Sequence, residues 1–169
     1  FLPRPVAAVF RTIISMLVGI PSVIYGFVGM VVLVPWIQNV FELPAGLTLL
    51  AAIIVLIVMT LPTIISVSES SISAVPSEYM EASLALGVGK EYTLLKMIVP
   101  AAKSGILAAI LLGLGRAVGE TMAVIMVAGN VPQMPKLLEP VRFLTTAIVT
   151  EMSYATEETS QVLMGIGLV

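Results

Sequence analysis

Long uncharged apolar runs alternate with shorter polar stretches along the chain, and the lengths of the runs predict its architecture. Thr12 to Trp36 and Leu47 to Ser68 hold no charged side chain, and Gly105 to Ala128 holds only Arg116 and Glu120. A helix needs about 20 apolar residues to cross the hydrocarbon core of a bilayer. The pattern therefore predicts spans at 12–36, 47–68 and 105–128, with the start of a further span at 161–169. Proline punctuates these runs. Pro21, within Gly19-Ile20-Pro21-Ser22, is expected to kink or break the first helix because it lacks a backbone donor. Pro35-Trp36 is expected to end that helix, with the indole at interface depth.

Composition points the same way. Hydrophobic residues make up 59% of the 169 residues and charged residues 11%, with a mean hydropathy of +1.11. Soluble domains average roughly 45–50% apolar and about 25% charged residues. The expected fold class is therefore all-α, a polytopic transmembrane helical bundle. Residues 1–169 form one membrane domain, expected to be truncated at both ends. Lys and Arg placement orients it. Arg4, Arg11, Lys90, Lys96 and Lys103 flank one side, while Ile37–Gly46 has no base and Gly129–Ser160 has two diluted by Glu. The N-terminal flank and Glu69–Lys103 are thus expected inside, and the other two loops outside.

Absences narrow the chemistry. There is no Cys, no His and no Asp, so a metal centre or a nucleophile–base pair has few residues to draw on. No metal site, catalytic residue or bound cofactor is expected. A net charge of −2 gives no reason to expect nucleic acid. Gly87-Val88-Gly89-Lys90 hints at a phosphate loop, but Leu84 and Glu91 stand where that motif needs Gly and Ser/Thr.

The inside loop at 76–100 carries the densest pattern. Ser77 after Pro76 predicts a helix start, with Glu78 favourable near the positive end of its dipole. Gly87 suits the left-handed position after the helix end. A second short helix is expected from near Glu91, stopping before Pro100. By itself this pattern also fits an amphipathic helix on the membrane surface. Its small side chains, Ala82, Ser83 and Ala85, suit close protein contact better than lipid insertion. Glu81-Ala82-Ser83-Leu84-Ala85-Leu86-Gly87, with Pro100 thirteen residues after the glycine, resembles the EAA loop of type I ABC importer permeases. That resemblance implies a coupling helix docked on a separate cytoplasmic ATPase. It gives ATPase coupling to Glu81, Ala82, Ser83, Gly87 and Pro100, and leaves ATP to the partner subunit.

Within the third run, Arg116 and Glu120 are four residues apart and are expected on one helix face. A charge at the bilayer centre costs about 2.5–3.5 kcal/mol on insertion scales, so both should face protein or a wet cavity. One reading is a buried structural ion pair. The other is a solute pathway, since a guanidinium matches oxyanion oxygens with a planar fork of donors and Glu120 can accept from a P–OH. Gly115-x-x-x-Gly119 is a small-xxx-small pattern for helix packing, with a second reading as a gate. The stretch from Arg116 to Asn130, with Gly19-Ile20-Pro21-Ser22-Val23-Ile24-Tyr25-Gly26 upstream, is similar to the PstC-type permeases of bacterial phosphate ABC transporters.

The resemblance implies a multi-pass subunit of the bacterial cytoplasmic (inner) membrane, in contact with lipid. It would carry inorganic phosphate past Arg116, Glu120 and Thr121. Its implied partners are an ABC ATPase dimer, a paralogous permease subunit and a periplasmic phosphate-binding protein. A permease for another oxyanion, the PstA-type paralogue, and more remotely an ion channel or secondary transporter, are the alternatives.

Overall fold

The computed structural model describes residues 4–168, which are helical with no strand among them; Gly129 and Val141 form one isolated bridge. Val169, the last residue of the expected run 161–169, lies outside the described residues. The helices are α1 (Arg4–Val18), α2 (Ser22–Val40), α3 (Leu49–Ser73), α4 (Ser77–Ala85), α5 (Lys90–Ala101), α6 (Lys103–Val118), α7 (Met122–Val127), α8 (Leu144–Met152) and α9 (Glu157–Gly167). α2 and α3 are long and apolar enough to cross a membrane, and α5 with α6 becomes a third candidate if the pair counts as one span bent by 66°. At 1.5 Å per residue α3 is about 37 Å long, against roughly 30 Å of hydrocarbon.

The helix boundaries differ from the expected runs, each for a local reason. The run 12–36 is divided between two helices: α1 ends at Val18, and Pro21 takes the N-cap position of α2 with extended backbone (φ −58°, ψ 138°). α2 then continues past Pro35-Trp36 to Val40. A π turn at Gly29–Leu33 precedes that proline, and a second at Leu94–Ile98 precedes Pro100, through which α5 runs on to Ala101. A proline ring collides with the carbonyl four residues back. In both helices that residue, Val31 or Lys96, sits at the middle of the wider π turn, which relieves the crowding and lets the helix pass. α3 outlasts its expected end at Ser68, and its serines there meet their own polar needs within the helix: Ser70 Oγ donates to the Ser66 carbonyl (3.0 Å) and Ser71 Oγ to that of Val67 (2.8 Å).

The chain divides into two compact units, one of Phe1–Gly19 with Thr60–Arg116 and the other of Ile20–Met59 with Ala117–Val169. In the first, α6 approaches the later half of α3 through glycines. A Cβ on Gly105 would strike Ser71, and one on Gly113 would strike Ile64. Ala109, midway between them, is fully buried. The packing stripe is thus Gly105-x-x-x-Ala109-x-x-x-Gly113. The expected Gly115 faces open space, two residues and so about 200° around the helix from Gly113. Arg11 of α1 donates its Nε to Glu69 of α3 at 2.9 Å, an exposed ion pair of little weight for stability.

The second unit has the larger apolar core: Val34 and Ile37 of α2, Ala51, Ala52 and Val55 of α3, Ala123, Val124 and Val127 of α7, then Ala128 and Val141. Glycine again sets the approach. A Cβ on Gly26 would lie 2.7 Å from the Cα of Ala123, and one on Gly29 would meet Val55 and Val127. Buried Thr48 caps α3 by accepting the Ala51 N–H at 3.2 Å. The next orphan donors of α3, the Leu49 and Leu50 N–H groups, bond the carbonyls of Glu139 (3.0 Å) and Leu137 (2.9 Å). The loop before α8 thereby fits over the start of α3, through left-handed Gly129 (φ 81°) and Asn130 (φ 53°).

Because the neighbour of Gly26 is backbone, which cannot rotate away, Gly26→Ala is expected to destabilise by about 1–3 kcal/mol, the ordinary cost of overpacking. Gly115→Ala, with space around it, should lose nothing. Thermal unfolding midpoints of the two purified variants in detergent check the contrast.

Candidate functional site

Two places concentrate polar chemistry in this apolar chain, the loop Ser77–Ala101 and the segment around Arg116–Thr121. The loop is built around its turn. Helix α4 starts at Ser77, so Pro76 and not Ser77 is the N-cap residue, and no side chain caps it. At the other end Gly87 is left-handed (φ 80°). Its N–H bonds the Leu84 carbonyl (2.9 Å), and the Val88 N–H bonds that of Ser83 (3.3 Å). This is the Schellman arrangement, in which a left-handed C′ residue lets two orphan carbonyls be satisfied. Gly89 then takes extended backbone (φ −65°, ψ 149°) as the N-cap of α5.

The expected coupling residues divide by exposure. Glu81, Ala82, Gly87 and Pro100 are exposed, and so is Leu86, at 83%. Ser83 is buried, at 4%, and its hydroxyl bonds that of fully buried Thr93 at 2.8 Å. Ser83 therefore lies inside the loop, whereas Glu81 and Ala82 lie on its surface. Two residues separate Ser83 from Glu81, about 200° of helix, so the inward serine turns the glutamate outward.

Arg116 and Glu120 do not share a helix face. α6 ends at Val118, and Glu120 lies beyond it in the break before α7. Glycine is a poor helix former, and Thr is better placed at a cap than inside a helix; Gly119 and Thr121 together stop the run expected to continue to Ala128. Half-buried Arg116 donates Nη1 to Thr63 Oγ1 of α3 at 3.0 Å, inside the first unit. Glu120 belongs to the second unit, where its Oε1 accepts the Ala123 N–H at 2.9 Å and its backbone carbonyl accepts the Thr145 hydroxyl at 3.1 Å. Glu120 thus satisfies an orphan donor of α7 while Thr121 occupies the N-cap position (φ −122°, ψ −50°). Thr63 was missed in the sequence: a threonine inside an apolar run, 53 residues away, gives no sign that it partners Arg116.

Arg116 has five N–H donors, of which Thr63 takes one; a carboxylate offers about four acceptor sites, of which the Ala123 N–H takes one. Both groups retain capacity for a polar solute. By contrast, a cavity of about 600 Å³ in the second unit is lined by Ile24, Tyr25, Val28, Trp36, Ile54 and Val58 among other apolar side chains. With no charged group in its wall, it does not suit an anion. No cluster of three or more His, Cys, Asp or Glu able to hold a metal occurs among the described residues.

Residues 1–166 match the family model of the binding-protein-dependent transport system inner membrane component. The chain belongs to that family. It is accordingly an all-helical membrane permease component. Among its relatives, the probable ABC transporter permease protein YqgH of Bacillus subtilis is 44% identical over 149 residues, covering 88% of this chain and 48% of the relative. The phosphate transport system permease protein PstC of Pasteurella multocida is 35% identical over 189 aligned residues, covering 100% of this chain and 58% of the relative. The phosphate transport system permease protein PstA 2 of Mycobacterium tuberculosis is 36% identical over 146 residues, covering 85% and 46%. The chain spans about half the length of the curated relatives it matches. No solved structure matches it.

Gly87 and Gly89 both have nothing within 4 Å of an added Cβ and differ in backbone conformation. Gly87→Ala is expected to destabilise by about 1–2 kcal/mol, the cost of left-handed backbone for a residue with a Cβ, and Gly89→Ala to be nearly neutral. Protease sensitivity of the loop in the two variants measures the difference.

Proposed function

We propose that this chain is the core segment of a PstC-type permease subunit that carries inorganic phosphate across the bacterial inner membrane in several passes. The observation that carries the reading is the similarity to PstC along the whole chain, supported by a glycine-turned loop with Glu81 and Ala82 on its surface. In this reading the loop lies in the cytoplasm and docks an ABC ATPase dimer, which binds and hydrolyses the ATP. A paralogous permease completes the pathway, and a periplasmic binding protein delivers the phosphate.

The chemistry of transport follows from Arg116, Glu120 and Thr121. The guanidinium attracts the anion and fits two of its oxygens at once. Glu120 accepts a hydrogen bond from the P–OH of a protonated phosphate, and its charge keeps the anion from being held too tightly for release. Thr121 adds a hydroxyl. Thr63 orients the guanidinium. Alternating access, driven by the docked ATPase, would open the solute pathway to each face of the membrane in turn. The similarity to PstA 2 favours a second reading, in which the chain is the paralogous permease of the same kind of transporter. Either reading assigns the same roles to the loop and to Arg116.

The test is ATP-driven uptake of labelled phosphate into vesicles by the complete reconstituted complex. Arg116→Ala should lower uptake by about 10–100-fold, since a hydrogen bond to a charged group is worth about 1.5–3 kcal/mol. Arg116→Lys should keep the charge and lose the fork, giving an intermediate rate. Wild-type uptake by an assembled Arg116→Ala complex would refute the pathway role, and no uptake by the wild-type complex would refute phosphate as the solute.

A further inference from the structure

A docking helix that only contacts an ATPase transmits nothing unless it is stiffly joined to the helices that move. α4 and α5 are connected by the four residues Leu86–Gly89, two of them glycine. Besides the chain and their packing, a pair of buried hydroxyls joins them. Ser83 Oγ and Thr93 Oγ1 lie 2.8 Å apart, and Thr93 Oγ1 donates to the Gly89 carbonyl at 3.1 Å. Thr93 has a single hydroxyl proton. With that proton on Gly89, the order is fixed: Ser83 donates to Thr93, and Thr93 to Gly89. Such chains polarise one another and are stronger than isolated bonds.

Ser83 is also the residue whose carbonyl receives the Val88 N–H. One residue of α4 thus grips the turn through its backbone and α5 through its side chain. α5 passes through the 66° bend into α6, and α6 reaches Arg116 within the same compact unit. We propose that the Ser83–Thr93–Gly89 hydrogen-bond chain is the positioning element that couples ATP hydrolysis to transport, fixing the exposed face of α4 against the helix that leads to Arg116. Thr93 is then a positioning residue that touches neither solute nor ATPase, and Ser83 acts from inside the loop. The inference rests on the permease reading above.

The decisive comparison is Thr93→Val with Thr93→Ser in the complete complex, reconstituted with its ATPase and binding protein, with phosphate moved and ATP hydrolysed measured in the same vesicles. Valine keeps the shape and removes the hydroxyl; serine keeps the hydroxyl and removes the methyl. Thr93→Val should lower phosphate moved per ATP by about fivefold or more, the low end of coupling between distinct sites, while Thr93→Ser stays near wild type. Loss of the ATPase from the Val complex but not from the Ser complex also supports the proposal. Ser83→Ala should match Thr93→Val, and the double variant should be no worse than either, as expected for one shared interaction. A Thr93→Val complex with the wild-type ratio overturns this inference alone, as does equal loss in Val and Ser. A wild-type complex that moves no phosphate overturns the permease reading and this inference with it.

Discussion

A chain of this composition must satisfy its own backbone. Hydrocarbon offers no hydrogen bonds, so each N–H and C=O that leaves a helix ladder needs a partner from the protein itself. Several irregularities in this fold answer that demand. Thr48 and the carbonyls of Leu137 and Glu139 take up the first donors of α3. Glu120 takes one from α7, and Asn130 Nδ2 donates to the Ile125 carbonyl at its far end (3.0 Å). The π turns before Pro35 and Pro100 belong to the same set, because they let a helix carry a proline without ending. The long loop at 128–143 is held in place for this reason as much as by its apolar residues.

The same demand shapes the polar site. Arg116 in an apolar helix is costly unless partnered, and Thr63 supplies a neutral acceptor that leaves the guanidinium its charge. A carboxylate in that place would offset the charge. Ending α6 before Glu120 therefore has a chemical consequence: arginine and glutamate are separate groups, each oriented by its own neighbour, and not a closed helical ion pair.

Much of this was legible in the sequence because composition and run length report directly on solvent. The helical membrane class follows from them, and the left-handed turn followed from Gly87 standing at the end of a short helix. Helix boundaries were less legible. Proline at 35 and 100 suggests termination, and nothing in the one-dimensional pattern signals the π turn that prevents it. Packing within the chain was less legible: Gly115-x-x-x-Gly119 and Gly105-x-x-x-Ala109-x-x-x-Gly113 look equally suitable on paper, and only tertiary contact shows that the second faces α3. Thr63 and Thr93 were invisible for a related reason. A single hydroxyl in a helix usually bonds its own backbone, and a partner 53 residues away leaves no local mark.

The central claim is that the Ser77–Ala101 loop meets an ATPase on the cytoplasmic side while Arg116 serves the solute. The most direct measurement places a single cysteine at exposed Leu86 of the full-length permease in the assembled complex. The account predicts a cross-link from that cysteine to the ATPase, and no labelling of intact cells by a membrane-impermeant thiol reagent. Labelling from outside, or an ATPase that never cross-links to position 86 in a transporting complex, would contradict it.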